Sequence, residues 1–271
     1  MTVEGLTVQD EGGVLTLTID RAEQQNSLTY DIRNAIVAEL ERASADLNVR
    51  AVVITASGER AFCTGADLRS RPPTLPSPEG APERPVGGAA RMIRTGWSRL
   101  IGAIMDCEKP VIAAVNGTAA GGGMHLALAC DLVLMADTAR FIEVFIRRGI
   151  IPDAGGAFIL PRIIGIQKTK ELMFFGDDLS AADAERIGLV NKVVPAADLP
   201  KVTAEWAARL ASLPTKAIGL TKALVNRSLS VDRQTSFEEE AWFQEINNVT
   251  EDAREGMLSF VERRPSEFKG W

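Results

Sequence analysis

Residues 116–125, Asn-Gly-Thr-Ala-Ala-Gly-Gly-Gly-Met-His, place three consecutive glycines beside the only histidine of the chain, directly after the apolar run Val111–Val115. Glycines let backbone amides approach a ligand with no side chain in the way. A helix opening there would add unpaired N–H groups and the positive end of its dipole, a setting suited to an anion. Nucleotide phosphates do not fit the spacing, because there is no Gly-x-Gly-x-x-Gly and no Lys-Ser or Lys-Thr after the glycines. The expected anion is therefore an oxyanion that exists only during a reaction. A second strand-to-turn segment supports this. The apolar run Ala51-Val52-Val53-Ile54-Thr55 is followed by Gly58-Glu59-Arg60-Ala61-Phe62-Cys63-Thr64-Gly65-Ala66-Asp67-Leu68. Two such turns, each giving one backbone N–H to a single oxygen, would make an oxyanion hole.

With these motifs the chain resembles the crotonase, or enoyl-CoA hydratase/isomerase, superfamily. The first turn matches the pattern Ala-Phe-x-x-Gly-Ala-Asp-Leu. The second matches Asn-Gly-x-Ala-x-Gly-Gly-Gly with a helix closing on Cys130-Asp131. Further signatures follow in order: Gln25-Asn26-Ser27-Leu28, Gly149-Ile150-Ile151-Pro152-Asp153-Ala154-Gly155-Gly156, Leu179–Ala184, Gly188-Leu189-Val190 and Phe260–Arg263. The resemblance implies an α/β fold built as a spiral of ββα repeats, with a C-terminal helical region that packs between subunits of a homotrimer or hexamer. It implies an acyl-CoA thioester substrate, with coenzyme A as part of that substrate and no other cofactor. It also assigns roles by position. The N–H groups of Ala66 and Gly122 are the oxyanion donors, with Gly121 beside them, and Arg60, Cys63, Asp67 and Leu68 border the coenzyme path. Phe260 and Arg263 reach a coenzyme from the terminal helix, often in the neighbouring subunit.

The acid/base set departs from a hydratase. By resemblance, hydratases carry glutamates at the positions of His125 and Phe145, and hydration needs such a pair to deprotonate a water and return a proton. Asp153 instead stands where dienoyl-CoA and ring 1,2-epoxyphenylacetyl-CoA isomerases carry an aspartate. The latter also share Phe141-x-x-x-Phe145 and Leu160-Pro161-Arg162. One carboxylate that lifts a proton from one carbon and returns it to another suffices for a double-bond shift. The competing reading of Asp153 is a helix N-cap. His125 reads either as a second acid/base or as a residue that shapes the acyl pocket. Glu143 shares a face with Phe141 and Phe145 if that segment is extended; otherwise it is a surface partner of Arg147 or Arg148. The expectation is an isomerase. The alternatives are a hydratase or hydrolase using His125, and an acyl-CoA-binding protein without turnover. A Ser-His-Asp hydrolase lacks its Gly-x-Ser-x-Gly here.

The elements that must hold these groups follow from periodicity. Val14–Ile19 alternates as a strand. Thr29 caps a helix whose stripe is Ile32, Ile36, Leu40, Ala43 and Leu47, and another helix covers Ile93, Leu100, Ile101 and Ile104. Strands alternating with helices would alone suggest a doubly wound parallel sheet, with the spiral implied only by the resemblance. Residues 71–88 are proline-rich and read as a loop, in the role of a lid or of a surface insertion. Residues 1–198 are expected to form the core with the acyl-CoA site, and 199–271 a helical region. There, Ser236 and Glu239 form a capping box. A net charge of −6 argues against nucleic-acid partners. Three cysteines without a Cys-x-x-Cys pair read as reduced thiols rather than a metal site. With neither an apolar run of spanning length nor a basic, apolar leader, the expectation is a cytoplasmic protein away from membranes.

Overall fold

The computed structural model describes residues 3–70, 76–83 and 86–271. Strand β1 (Leu6–Glu11) pairs antiparallel with β2 (Val14–Ile19). Alternation decides the buried face of β2: Leu15, Leu17 and Ile19 are fully buried, while Val14, Thr16 and Thr18 are only partly covered. Each of those three side chains is worth about 1.5–3 kcal/mol of transfer free energy. Helix α1 (Tyr30–Ala45) begins where Thr29 accepts a hydrogen bond from the Ile32 N–H at 3.3 Å. It buries Ile32, Ile36, Leu40 and Ala43; Leu47, expected on the same stripe, lies past the helix end and is exposed.

The chain then repeats one unit. Strand β3 (Ala51–Ala56) joins the first sheet and β4 (Ala61–Cys63) a second, before helices α2 (Gly88–Ile93) and α3 (Arg99–Asp106). Likewise β5 (Val111–Val115) and β6 (Thr118–Ala120) lead to α4 (Gly122–Ala129), and β7 (Leu132–Ala136) and β8 (Arg140–Ile142) lead to α5 (Gly156–Phe175). Strand β9 (Asp178–Ser180), helix α6 (Ala181–Arg186) and strand β10 (Lys192–Val194) complete the core. The first sheet runs β1-β2-β3-β5-β7-β10, parallel from β2 onward, and the second runs β4-β6-β8-β9. The doubly wound sheet suggested by composition is thus replaced by a ββα spiral. Two strands per turn feed two different sheets, and the alternation of apolar runs with helices does not distinguish that arrangement from one sheet.

Four helices follow: α7 (Leu199–Ala211), α8 (Thr215–Ser228), α9 (Arg233–Asn248) and α10 (Glu251–Glu262). Helix α7 packs on β3, β5 and β7, and the Arg50 guanidinium ties the region to the core by donating to Thr215 Oγ1 and to the carbonyls of Leu213 and Phe268. The capping box at Ser236 is not formed. Asp232 caps α9 by accepting from the Thr235 N–H at 3.0 Å, which places Ser236 inside the first turn. Of the proline-rich stretch, residues 71–75 and 84–85 lie outside the described residues, and 76–83 form neither helix nor strand. Among the described residues, no helix is long and apolar enough to cross a membrane.

Candidate active site

Three chain segments converge at the end of the parallel strands. The first is anchored by Asn26, fully buried in a left-handed conformation. Its side chain donates to the Ser57 and Ala61 carbonyls and accepts from the Arg21 N–H. Leu28 then forms a parallel bridge to the turn after β4, with Leu28 N–H donating to the Gly65 carbonyl at 2.8 Å and Asp67 N–H to the Leu28 carbonyl at 2.9 Å. A parallel bridge uses the groups on either side of the opposed residue, so the N–H of Ala66 itself points to the other side. Gly65 has φ +96°, and a Cβ there would stand 3.7 Å from the Gly122 nitrogen. The two turns read from the sequence are neighbours in space.

The glycine row opening α4 divides its labour. Gly121 holds φ 53°, ψ −123°, a backbone state for which only glycine is suited, and its N–H is spent on the Ile142 carbonyl. Gly122 begins the helix, where an N–H has no intrahelical acceptor. A Cβ on Gly122 would lie 2.8 Å from the Trp97 ring, and a Cβ on Gly123 would lie 2.0 Å from the Cys63 carbonyl oxygen. Close contact between α4 and β4 therefore holds the Ala66 turn beside the Gly122 N–H.

His125 follows one turn into α4 and is fully buried. Its Nε2 lies 2.7 Å from Glu143 Oε1, in a pair with side-chain exposures of 0% and 1%. Phe145 stacks on the imidazole with ring centres 5.4 Å apart, and Gly156 leaves room for it, since a Cβ there would be 2.1 Å from Nε2. His125 Nδ1 and Glu143 Oε2 are buried without a partner among the described residues. Glu143 is thus no surface partner of the arginines; Arg147 bonds instead to Asp178.

Asp153 lies on the segment before α5 and is half-buried. It is not a helix cap: Gly155 occupies that position in a left-handed conformation, with no side-chain hydrogen bond. Burial pushes its carboxyl above the ordinary carboxylate value, against the opposing pull of His125, its own backbone N–H and Arg33. The site therefore combines two neighbouring turns with backbone N–H groups, one half-buried carboxyl and one sealed imidazole–carboxylate pair. Such an arrangement can stabilise an enolate and move a proton beside it.

The family profile for enoyl-CoA hydratase/isomerase matches residues 9–271. The chain belongs to the enoyl-CoA hydratase/isomerase family. It is 34% identical over 262 residues to the 1,2-epoxyphenylacetyl-CoA isomerase of Escherichia coli strain K12, covering 96% of each chain. It is also 34% identical over 272 residues to the short-chain-enoyl-CoA hydratase of Clostridium acetobutylicum, covering 98% of each. The crystal structure of an enoyl-CoA hydratase from Bacillus anthracis superposes with a TM-score of 0.87 at 35% identity, over 99% of this chain and 100% of that one.

Within this family site, the structure brings together Ala66, Gly121, Gly122, His125, Glu143, Phe145 and Asp153. Others assigned by resemblance stand differently. The Cys63 side chain is fully buried and its thiol is pushed up to about 12 by desolvation, so a ligand cannot reach it; its carbonyl instead packs under Gly123. The Asp67 carboxylate is taken by Arg21 at 2.9 Å and by the Arg69 N–H at 3.0 Å, which hold it down to about 2. Arg60 and Leu68 are exposed on the turn, and Phe260 and Arg263 are exposed at the end of α10, which packs on α9. Sequence reasoning missed Trp97, Arg33 and Gly156. Only Gly156 left a signal, as the second member of the Gly155-Gly156 pair.

Proposed function

We propose that this family member is an acyl-CoA isomerase. It shifts a double bond, or rearranges a ring, through a thioester enolate held by the N–H groups of Ala66 and Gly122. The observation that carries this reading is the inequality of the carboxylates. Asp153 is half-buried and unpaired among the described residues, whereas Glu143 is sealed against His125, and a phenylalanine ring fills the remaining position. In the reaction, Asp153 takes a proton from a carbon next to the conjugated system, charge builds on the thioester oxygen between the two amides, and the same carboxyl returns the proton to a different carbon. Nothing is oxidised or reduced, and the coenzyme enters and leaves with the acyl group.

Hydration is the second reading, favoured by the His125–Glu143 pair, which supplies another proton carrier. Assay of a panel of enoyl-CoA thioesters in deuterated water separates the two. Isomerisation with exchange of α- and γ-protons supports the proposal. Rapid, His125-dependent addition of water to crotonyl-CoA overturns it.

The working form is proposed to be a trimer or hexamer. Helix α9 buries no residue within the subunit, and Trp242, Phe260 and Val261 are 67%, 84% and 77% exposed. Apolar faces of that size mark association surfaces.

A further inference from the structure

Arg33 is 5% exposed, yet its guanidinium donates to no acceptor among the described residues; Nε is sealed from solvent with no partner. The residues outside the described set bring no acidic side chain. Buried Lys222 shows the ordinary solution, an ammonium bonded to Asp131 and to the carbonyls of Ile104 and Lys109. Arg33 has ring faces and the charge of Asp153, which it feels without a hydrogen bond or an ion-pair contact. Its guanidinium carbon lies 4.2 Å from the Tyr30 ring centre and 5.5 Å from that of Trp97. A cation–π contact is worth about 0.5–2 kcal/mol, whereas each buried donor left unmade costs about 1–3 kcal/mol. Stacking therefore does not offset the burial. Gly96 packs against Nη1, and neither Nη has an acceptor among the described residues; such a pair of N–H donors is what grips a carboxylate with two parallel bonds.

Position adds to the case. Arg33 sits in the first turn of α1, the end at which the helix dipole disfavours a cation. Opposite it runs a π-helical turn, Arg94–Ser98, a rare form frequent at functional sites. That turn supplies Gly96, where a Cβ would be 2.9 Å from Arg33 Nη1, and Trp97, whose ring packs on Gly122 as well as on Arg33. One indole thus links the cation to the oxyanion donor, and Leu28, just before α1, bridges to Ala66.

We infer that Arg33 is the receptor for a carboxylate at the far end of a short acyl chain, so that the substrate is the CoA thioester of a dicarboxylic acid. The inference rests on the acyl-CoA reading above. Its probes are glutaryl-CoA and valeryl-CoA, which have the same chain length with and without the terminal carboxylate, titrated calorimetrically into the full-length protein. Wild type should bind glutaryl-CoA about ten- to a hundredfold more tightly, the span of a charge-assisted hydrogen bond. In Arg33→Met the ratio of the two affinities should fall to about one, and in Arg33→Lys it should lie between. Equal affinities in wild type, or a preference that survives Arg33→Met, overturn the assignment of Arg33 and leave the coenzyme reading standing. Failure of both thioesters to bind removes the coenzyme reading and this inference with it. If Arg33→Met does not fold, Arg33→Lys makes the same comparison, and equal affinities in wild type overturn the inference without any variant.

Discussion

Gly123→Ala tests whether contact between α4 and β4 sets the oxyanion hole. The added Cβ would lie 2.0 Å from the Cys63 carbonyl oxygen and 2.6 Å from its carbon, whereas ordinary contact begins at 3.4 Å, so the two elements must part by more than an ångström. Both are backbone, and neither can turn aside as a side chain would. Overpacking of this kind costs about 1–3 kcal/mol, which leaves most domains folded. The catalytic effect should be larger. The Ala66 donor rides on the turn after Cys63 and the Gly122 donor immediately precedes the substituted residue. Opening the contact pulls one donor away from an oxygen that both must reach, and loss of one such donor costs about 10²–10³ in kcat. The assay is exchange of the α-proton of a saturated acyl-CoA in deuterated water, which needs enolate stabilisation but no substrate-specific rearrangement, run beside thermal denaturation. A fall of 10²–10³ in exchange, with a cooperative transition retained, is expected. A folded variant exchanging within about threefold of wild type would refute the claim that this contact sets the hole.

Asp153→Asn should leave folding intact and lower isomerisation by about 10²–10⁴, the usual contribution of a positioned acid/base; intact turnover would remove Asp153 from the mechanism. In wild type, kcat/KM should rise with pH through a value above the ordinary carboxylate range, because the base must be ionised and burial raises its pKa. A raised carboxylate costs stability as pH climbs through that window, so the Asn variant should be as stable as wild type or more stable at neutral pH, with the difference vanishing in acid. Glu143→Leu should cost about 1–3 kcal/mol by stranding His125, and His125→Leu/Glu143→Leu should regain much of it; denaturant titration showing additive losses would contradict the pairing. Sedimentation at micromolar concentration should show a trimer or hexamer, and a stable monomer would contradict an association role for the faces at Trp242 and Phe260.

What the sequence disclosed followed from short-range rules. Thr29, the alternation in Val14–Ile19 and the glycine row each act within a few residues, so each was readable without knowledge of the fold, and the order of the motifs implied the spiral. The capping box at Ser236 misled because Asp232, four residues earlier, is an equally good cap and the chain uses the earlier one. The pairing of His125 with Glu143 could not be read, since the residues are 18 apart and meet only when β8 lies beside β6. Arg33 was hidden for a related reason. An arginine next to the apolar stripe of α1 reads as solvated, whereas Tyr30 and, from a distant turn, Gly96 and Trp97 cover it.

The cluster around His125 bears on what a single substitution there could change. The imidazole fills a space bounded by Glu143, the Phe145 ring and the bare Cα of Gly156. Installing a glutamate at Phe145, as in the hydratase pattern, would remove the stacked ring and set a second carboxylate near Glu143 around one imidazole. Like charges so close cannot both ionise in a sealed site, so one carboxyl would hold its proton and no pair of independent proton carriers would result. A single substitution at Phe145 would therefore not supply the hydratase set, whereas the proposed isomerisation rests on Asp153. The proposed donors at Ala66 and Gly122 are placed by the contacts of Gly123 with Cys63 and of Gly122 with Trp97, while Phe145 lies beside Gly121.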